Sequence, residues 1–149
     1  MPVANGTITP HRGATIELLI GVNVSKRDAL VRVGSPVPER IRVMAQIDTG
    51  SSYSAIDVQT LTRLDITPID KIKVRTPVTA PQDAVGFDQY VVSIGLDTGD
   101  GVETLFDDVE VLGCHFADDE GIQAMLGQDV LGDCLFVYTG TCRTFYLAV

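Results

Sequence analysis

The polar run Asp48-Thr49-Gly50-Ser51-Ser52 contains the residues of this chain that are best suited to acid–base chemistry. It follows Met44–Ile47, a segment that is predicted to be a strand running into the protein interior. A carboxylate at the inner end of a buried strand is costly to keep charged unless hydrogen-bond donors surround it. Gly50 can turn tightly and aim a backbone N–H group at Asp48, and the threonine and serines add hydroxyl groups. The run is therefore predicted to be a loop that holds the Asp48 carboxylate in place.

The triplet Asp-Thr-Gly occurs a second time at Asp97-Thr98-Gly99, so the triplet alone does not identify a site. The second copy is followed by Asp100-Gly101 and lies between two strand-like segments, which is the composition of a hairpin turn. The first copy differs because an apolar strand leads into it and two serines follow it. Asp48 therefore belongs to the candidate site loop, and Asp97 is predicted to lie in a surface turn.

A second apolar strand that stops at a glycine lies in the segment Ala124–Leu131, where Gly127 is followed by the polar pair Gln128-Asp129. The order of IDTGSS, a central hairpin, and MLGQDVL followed by a final strand pair resembles the retropepsin-like aspartic proteases. That family includes retroviral and retrotransposon proteases and their bacterial and eukaryotic relatives. The resemblance covers roughly Thr15 to Val149. It implies an all-β fold, namely a closed β-barrel of the acid protease type with one short helix after the Leu-Gly strand.

The resemblance also implies a catalytic role for Asp48. Aspartic peptidases place two carboxylates around one water, and two carboxylates in contact share a single proton. The charged one takes a proton from the water, and the protonated one polarises the scissile carbonyl. This chain offers one suitable Asp, because Asp97 follows too soon to belong to a second lobe. The expected enzyme is therefore a homodimer with a two-fold axis at the paired Asp48 residues, acting on peptides or proteins without a cofactor.

Other residues receive roles from the same resemblance. Thr49 is expected to form a hydrogen bond across the two-fold axis, and Gly50 is expected to contact the substrate backbone. Structural support for the active-site loop is expected from Leu126, Gly127, Gln128 and Asp129. Retroviral members carry an ion pair between an Asp and an Arg at the positions of Ser52 and Gln128. Both partners differ here, so no charge is left without a partner.

The central hairpin is predicted between the strands 71–76 and 87–96, with a connection over Pro77–Gly86. In the family the corresponding hairpin is a flap that closes over a bound peptide. The residues assigned to substrate binding at the flap are Val78, Thr79, Ala80, Pro81 and Gln82. Two prolines stand where the family has glycines, which indicates a stiffer or differently shaped flap. An ordinary surface hairpin is the alternative.

Composition excludes several other functions. The chain has 149 residues, a net charge of -9 and no Lys/Arg block, so we expect neither nucleic-acid binding nor binding to an anionic membrane. We find no signal peptide and no apolar run that could span a bilayer, and a cytoplasmic location is expected.

Three cysteines without a C-x-x-C pair suit buried thiols in a reducing compartment. Two histidines give little support to a nucleophilic cysteine, and no complete ligand loop predicts a metal site.

The remaining segments complete the expected organisation. Residues 1–13 are rich in Pro and Gly and are predicted to be a flexible arm before a single domain over 14–149. Further strands are predicted over 15–24 and 29–34, over 102–106 and 109–116 with Asp107-Asp108 as their connection, and over 135–138 and 142–149. Residues 53–64 are expected to contain a strand end and a short helix, with Asp57 as a possible cap.

The alternative to a protease is a catalytically silent retropepsin-like module that binds peptides or supports assembly. The intact IDTGSS favours the enzyme, because a pure binding module has no reason to bury an Asp.

Overall fold

Most of the chain forms β-strands, because apolar and polar residues alternate along it. The computed structural model describes residues 2–78, 80–97 and 103–149. The strands in these ranges are β1 (Val3–Thr9), β2 (Gly13–Val22), β3 (Ile41–Ile47), β4 (Ala55–Asp57), β5 (Asp70–Val74), β6 (Val85–Asp97), β7 (Glu103–Cys114), β8 (Ala124–Leu126), β9 (Leu135–Thr139) and β10 (Thr144–Ala148). The helices are α1 (Val24–Arg32), α2 (Val58–Arg63) and α3 (Gln128–Leu131), with short 3-10 turns at Pro81–Asp83 and Asp118–Glu120. Among the described residues, no helix is long and apolar enough to cross a membrane.

Six strands close into a barrel in the order β2, β6, β7, β4, β8 and β3, because β2 pairs with both β6 and β3. Apolar side chains are buried in the barrel: Leu18, Ile20, Val92, Ile94, Val111 and Leu126 are each at most 2% exposed. The predicted closed all-β barrel is confirmed, and so is the short helix after Leu126-Gly127, which is α3. The expected strand end and helix over residues 53–64 are β4 and α2, although the Asp57 side chain does not cap the helix.

The prediction of a flexible arm over residues 1–13 was wrong, because residues 3–9 form β1. This strand pairs antiparallel with β10, from Val3 opposite Ala148 to Thr7 opposite Thr144, and its last two residues pair with β2. Gly6 accounts for the fit: a Cβ there would lie 2.6 Å from the ring of Phe145, which is fully buried. The glycine that suggested a loose segment instead lets the strand lie close to an aromatic side chain.

The strand predicted over residues 29–34 was also wrong, because this segment forms the end of helix α1 and the turn that follows it. The helix begins after Asn23, whose side chain accepts a hydrogen bond from the Lys26 N–H at 3.2 Å. It ends before Gly34, which adopts the left-handed conformation with φ of 72°. Val31 and Val33 are 65% and 73% exposed, so their β-branched side chains indicated a strand that burial does not support. The N-cap and the C-terminal glycine outweigh the weak propensity of two valines.

The two strands predicted around Asp107-Asp108 are one continuous strand, β7, with a bulge at the acidic pair. The register against β6 shifts here, so that Val92 faces Val109 while Ile94 faces Phe106. Asp108 has φ of 56° and accepts a hydrogen bond from the Asn23 side chain at 2.8 Å, and Asp107 lies 3.7 Å from Arg27. Ion pairing and a side-chain hydrogen bond stabilise the bulge, so the strand continues through a sequence that looks like a turn.

The final strand pair was predicted correctly. Strands β9 and β10 form an antiparallel hairpin in which Thr139 faces Thr144 and Leu135 faces Ala148. Phe145 and Leu147 are fully buried, and they join this hairpin and β1 to the barrel core.

Candidate active site

Asp48 follows directly from β3 at the point where β3 and β8 end side by side. The two strands are parallel, with Ile47 opposite Leu126, so the Asp48 loop and Gly127 emerge at the same level of the barrel. The Asp48 N–H donates to the carbonyl oxygen of Leu126 at 3.0 Å, which extends the ladder by one residue. The position of the carboxylate is therefore set by two buried strands and not by the loop alone.

The loop after Asp48 supplies one of the donors that the sequence predicts for the carboxylate, the Gly50 backbone N–H. The Gly50 N–H donates to Asp48 Oδ1 at 3.0 Å, and the Ser51 N–H donates to the Asp48 carbonyl oxygen at 3.2 Å. Ser51 Oγ donates to the carbonyl oxygen of Tyr53 at 2.7 Å. Asp48 and Ser51 are half-buried, whereas Thr49, Gly50 and Ser52 are exposed. The carboxylate is held at the surface of the molecule, with the exposed loop residues beside it.

Gln128 connects α3 to the active-site loop through two hydrogen bonds. Its backbone N–H donates to the carbonyl oxygen of Ser51, and its Nε2 donates to that of Thr49, both at 2.8 Å. A neutral amide thus bonds the loop at the position where retroviral proteases carry Arg. The side chain of Ser52, at the position of the family's Asp, forms no hydrogen bond with the residues that the structure describes.

Ser54 is buried in this connection, and its partner Asp129 is exposed. Ser54 is 1% exposed; its N–H and Oγ donate to the two carboxylate oxygens of Asp129 at 2.7 and 2.6 Å. Ser54 Oγ also accepts the Gly127 N–H at 2.9 Å. Asp129 was predicted to support the loop, but Ser54 was not. The only signal for Ser54 in the sequence is a hydroxyl directly before the apolar pair Ala55-Ile56.

Gly127 is required by space. A Cβ at this residue would lie 2.6 Å from the backbone carbonyl of Tyr53 and 2.9 Å from the Ser54 nitrogen. Its φ of -98° and ψ of -173° are accessible to any residue, so the close approach of two backbones explains the glycine.

A cleft of about 520 Å³ opens beside the carboxylate. One wall consists of the active-site loop, and Leu112 and Met125 form an apolar base. The other wall is the first arm of the hairpin between β5 and β6, over residues 73–77. The cleft is large enough for a few residues of an extended peptide.

The hairpin expected to be a flap is present, with Val74 opposite Val85 in the β5–β6 pair. The substrate-binding residues predicted at its tip lie beyond the cleft in this conformation. Val78 is 96% exposed, Ala80 and Gln82 do not line the cleft, Pro81 begins the 3-10 turn, and Thr79 lies outside the described residues. The first arm of the hairpin lines the cleft, whereas the described part of the tip does not.

Of the second Asp-Thr-Gly, the structure describes Asp97 alone. Asp97 is the last residue of β6, stands opposite Glu103 of β7, and does not line the cleft beside Asp48. The paired strands on both sides agree with the predicted hairpin. Thr98 and Gly99 themselves lie outside the described residues.

Three solved protease structures resemble this chain in architecture. A retropepsin-like aspartic protease from Rickettsia conorii aligns over 97% of this chain and 90% of its own, with 18% identity and a TM-score of 0.52. The simian foamy virus protease aligns over 80% of this chain and 92% of its own (15% identity, TM-score 0.45). The EIAV protease, solved with an inhibitor, aligns over 86% of this chain and 93% of its own (17% identity, TM-score 0.46).

No protein-family model and no curated protein matches the sequence. The fold is therefore assigned from the Rickettsia structure, which aligns with nearly the whole chain, and from the loop geometry around Asp48. The chain has the fold of the retropepsin-like aspartic proteases.

Proposed function

We propose that this protein is an aspartic endopeptidase that acts as a homodimer. The observation that carries the proposal is the Asp48 carboxylate, held by the Gly50 N–H on a loop tied to two buried strands, at the edge of a cleft of peptide size. A loop held in this way keeps a general base in one orientation, which acid–base catalysis requires.

The mechanism needs a second carboxylate, which a second copy of the chain supplies. In the dimer the two Asp48 side chains lie across a two-fold axis and share one proton. The ionised carboxylate removes a proton from the bound water, which attacks the peptide carbonyl. The protonated carboxylate donates a hydrogen bond to the carbonyl oxygen and stabilises the charge that develops there. The exposed Thr49 is free to form the hydrogen bond across the axis, and Gly50 to contact the substrate backbone.

The cysteines support an enzyme that does not use a thiol. Burial raises the pKa of the Cys114 thiol, and burial together with the charge of Asp133 raises the pKa of the Cys134 thiol. A raised pKa keeps a thiol protonated and therefore a poor nucleophile. Free thiols at these two positions and at Cys142 are also compatible with a reducing compartment, and we propose a cytoplasmic location.

Proteolysis is tested by incubating the protein with a diverse peptide pool, with and without a statine-type transition-state analogue, and identifying products by mass spectrometry. We expect internal cleavages that the analogue suppresses, because it occupies the position of the attacked carbonyl between the two carboxylates. Peptides that bind but are never cut would instead indicate a silent binding module.

A further inference from the structure

Two cations line the cleft next to the Asp48 carboxylate. Lys73 and Arg75 both belong to the wall formed by the first arm of the β5–β6 hairpin. Lys73 belongs to β5, and Arg75 comes directly after the last residue of that strand, Val74. Both side chains are exposed.

Neither cation has a partner among the residues that the structure describes. The residue opposite Lys73 in the β5–β6 pair is Gly86, which brings no side chain. Lys71 is different: it follows the same alternation, stands opposite Asp88, and its Nζ lies 3.5 Å from that carboxylate. Lys73 and Arg75 thus present charges to the cleft that no described carboxylate neutralises.

The charge of the cleft is opposite to that of the whole chain. The charged residues lining it are Asp48, Lys73 and Arg75, so the wall is positive even when Asp48 is ionised. The chain as a whole carries -9. A positive cleft on an acidic protein focuses the field on its contents and attracts negative groups. The remaining lining, which includes Tyr53, Leu112 and Met125, is neutral and offers no anion to a basic peptide.

We propose that this cleft selects peptides that carry an Asp or Glu side chain close to the bond to be cut. The acidic side chain lies against Lys73 and Arg75, while its apolar neighbours pack on Leu112 and Met125. As a preference in cleavage, the inference rests on the proposed function. As a preference in peptide binding, it does not depend on catalysis.

The test compares three peptide pools of the same apolar composition that differ at one position, which holds Glu, Gln or Lys. Cleavage by the parent protein gives kcat/KM for each pool. Fluorescence anisotropy with labelled pools and Asp48→Asn protein gives the binding constants without turnover. The variants are the double substitution Lys73→Gln with Arg75→Gln and, as a matched control, Lys71→Gln, which removes one charge from the same strand outside the cleft.

We expect the parent to favour the Glu pool over the Gln pool by about tenfold, with the Lys pool weakest, since each exposed ion pair contributes up to about fivefold. The double variant should lose this preference, and Lys71→Gln should keep it. Raising the salt concentration should reduce the preference.

Two results would overturn the inference: equal kcat/KM for the Glu and Gln pools, or a preference that the double variant retains. Neither result would argue against the proposed proteolysis. If no pool is cut but the Glu pool binds more tightly and the double variant abolishes this, the acidic preference stands and the proposed proteolysis fails.

Discussion

The Asp48 carboxylate lines the cleft, and in the proposed mechanism it is the group that transfers protons. Replacing the carboxylate by the amide of the same shape, Asp48→Asn, removes the base while retaining an acceptor for the Gly50 N–H. We expect kcat to fall by at least about a thousandfold, on the order of 4 kcal/mol at ~1.4 kcal/mol per decade. Peptide binding should persist, because the cleft keeps its walls.

The control is Asp97→Asn, the same substitution in the other Asp-Thr-Gly. Asp97 lies at the end of β6 and does not line the Asp48 cleft, so turnover should hardly change. The measurement is peptide cleavage by both variants and by the parent protein, assayed side by side. If Asp97→Asn lost activity and Asp48→Asn kept it, the catalytic carboxylate would be Asp97 and the proposed assignment to Asp48 would be wrong.

Ser54 is predicted to stabilise the site through the hydrogen bonds of its buried side chain. Ser54→Ala removes the hydroxyl that accepts the Gly127 N–H and donates to the exposed Asp129, so the Gly127 N–H loses this partner in a buried place. The expected loss is about 1–3 kcal/mol of the free energy of unfolding, measured by urea denaturation. Ser52→Ala, at an exposed residue of the same loop, should change stability by no more than about 0.5 kcal/mol. Equal stability of the two variants would contradict the role given to Ser54.

At the scale of elements, the junction between β8 and α3 depends on the absence of a side chain at Gly127. Gly127→Ala would force the Tyr53 carbonyl away and so disturb the loop that carries Asp48. Because the Gly127 backbone is extended, the cost is steric, and we expect a destabilisation of about 1–3 kcal/mol together with reduced turnover.

Gly86→Ala is the matched control on β6. A Cβ there meets only the flexible Lys71 side chain at 3.8 Å, so stability should stay within about 0.5 kcal/mol of the parent. Thermal unfolding and peptide cleavage of the two variants distinguish a need for space at Gly127 from a general cost of adding a methyl group to a strand. Parent-like behaviour of Gly127→Ala would mean that the two backbones are free to move apart.

The hairpin between β5 and β6 is expected to close over substrate. Deleting residues 81–84 shortens its tip, while the five paired positions from Asp70–Gln89 to Val74–Val85 can remain. Turnover should fall by roughly 10- to 100-fold, because an incomplete flap holds the peptide poorly over Asp48. Circular dichroism should report an intact fold. Unchanged kcat and KM would place the flap elsewhere.

At the scale of the molecule, one chain supplies one Asp48, so activity should require association. Specific activity is expected to fall on dilution in parallel with the loss of dimer, as followed by analytical ultracentrifugation. A protein that sediments as a monomer and retains full specific activity at nanomolar concentration would rule out the shared pair of carboxylates.

The parts of this molecule that could be read from the sequence are those that local patterns encode. Asp48 could be chosen over Asp97 because an apolar strand precedes it and two serines follow. Gly127 could be assigned to the end of a strand in the same way. Alternation of apolar residues predicted most barrel strands, and the order of these segments pointed to the family fold. Each of these features extends over a few consecutive residues, so neighbouring side chains suffice to reveal it.

The remaining features depend on partners that lie far away along the chain. Residues 3–9 become a strand because β10 supplies a ladder and Phe145 covers Gly6. Ser54 becomes structural only where folding brings it to Asp129, 75 residues later. Lys73 and Arg75 alternate in the sequence like any exposed strand face, and only folding places them on the same cleft as Asp48. Burial, backbone approach and charge neighbourhood are properties of the assembled strands, and a pattern of neighbouring residues does not contain them.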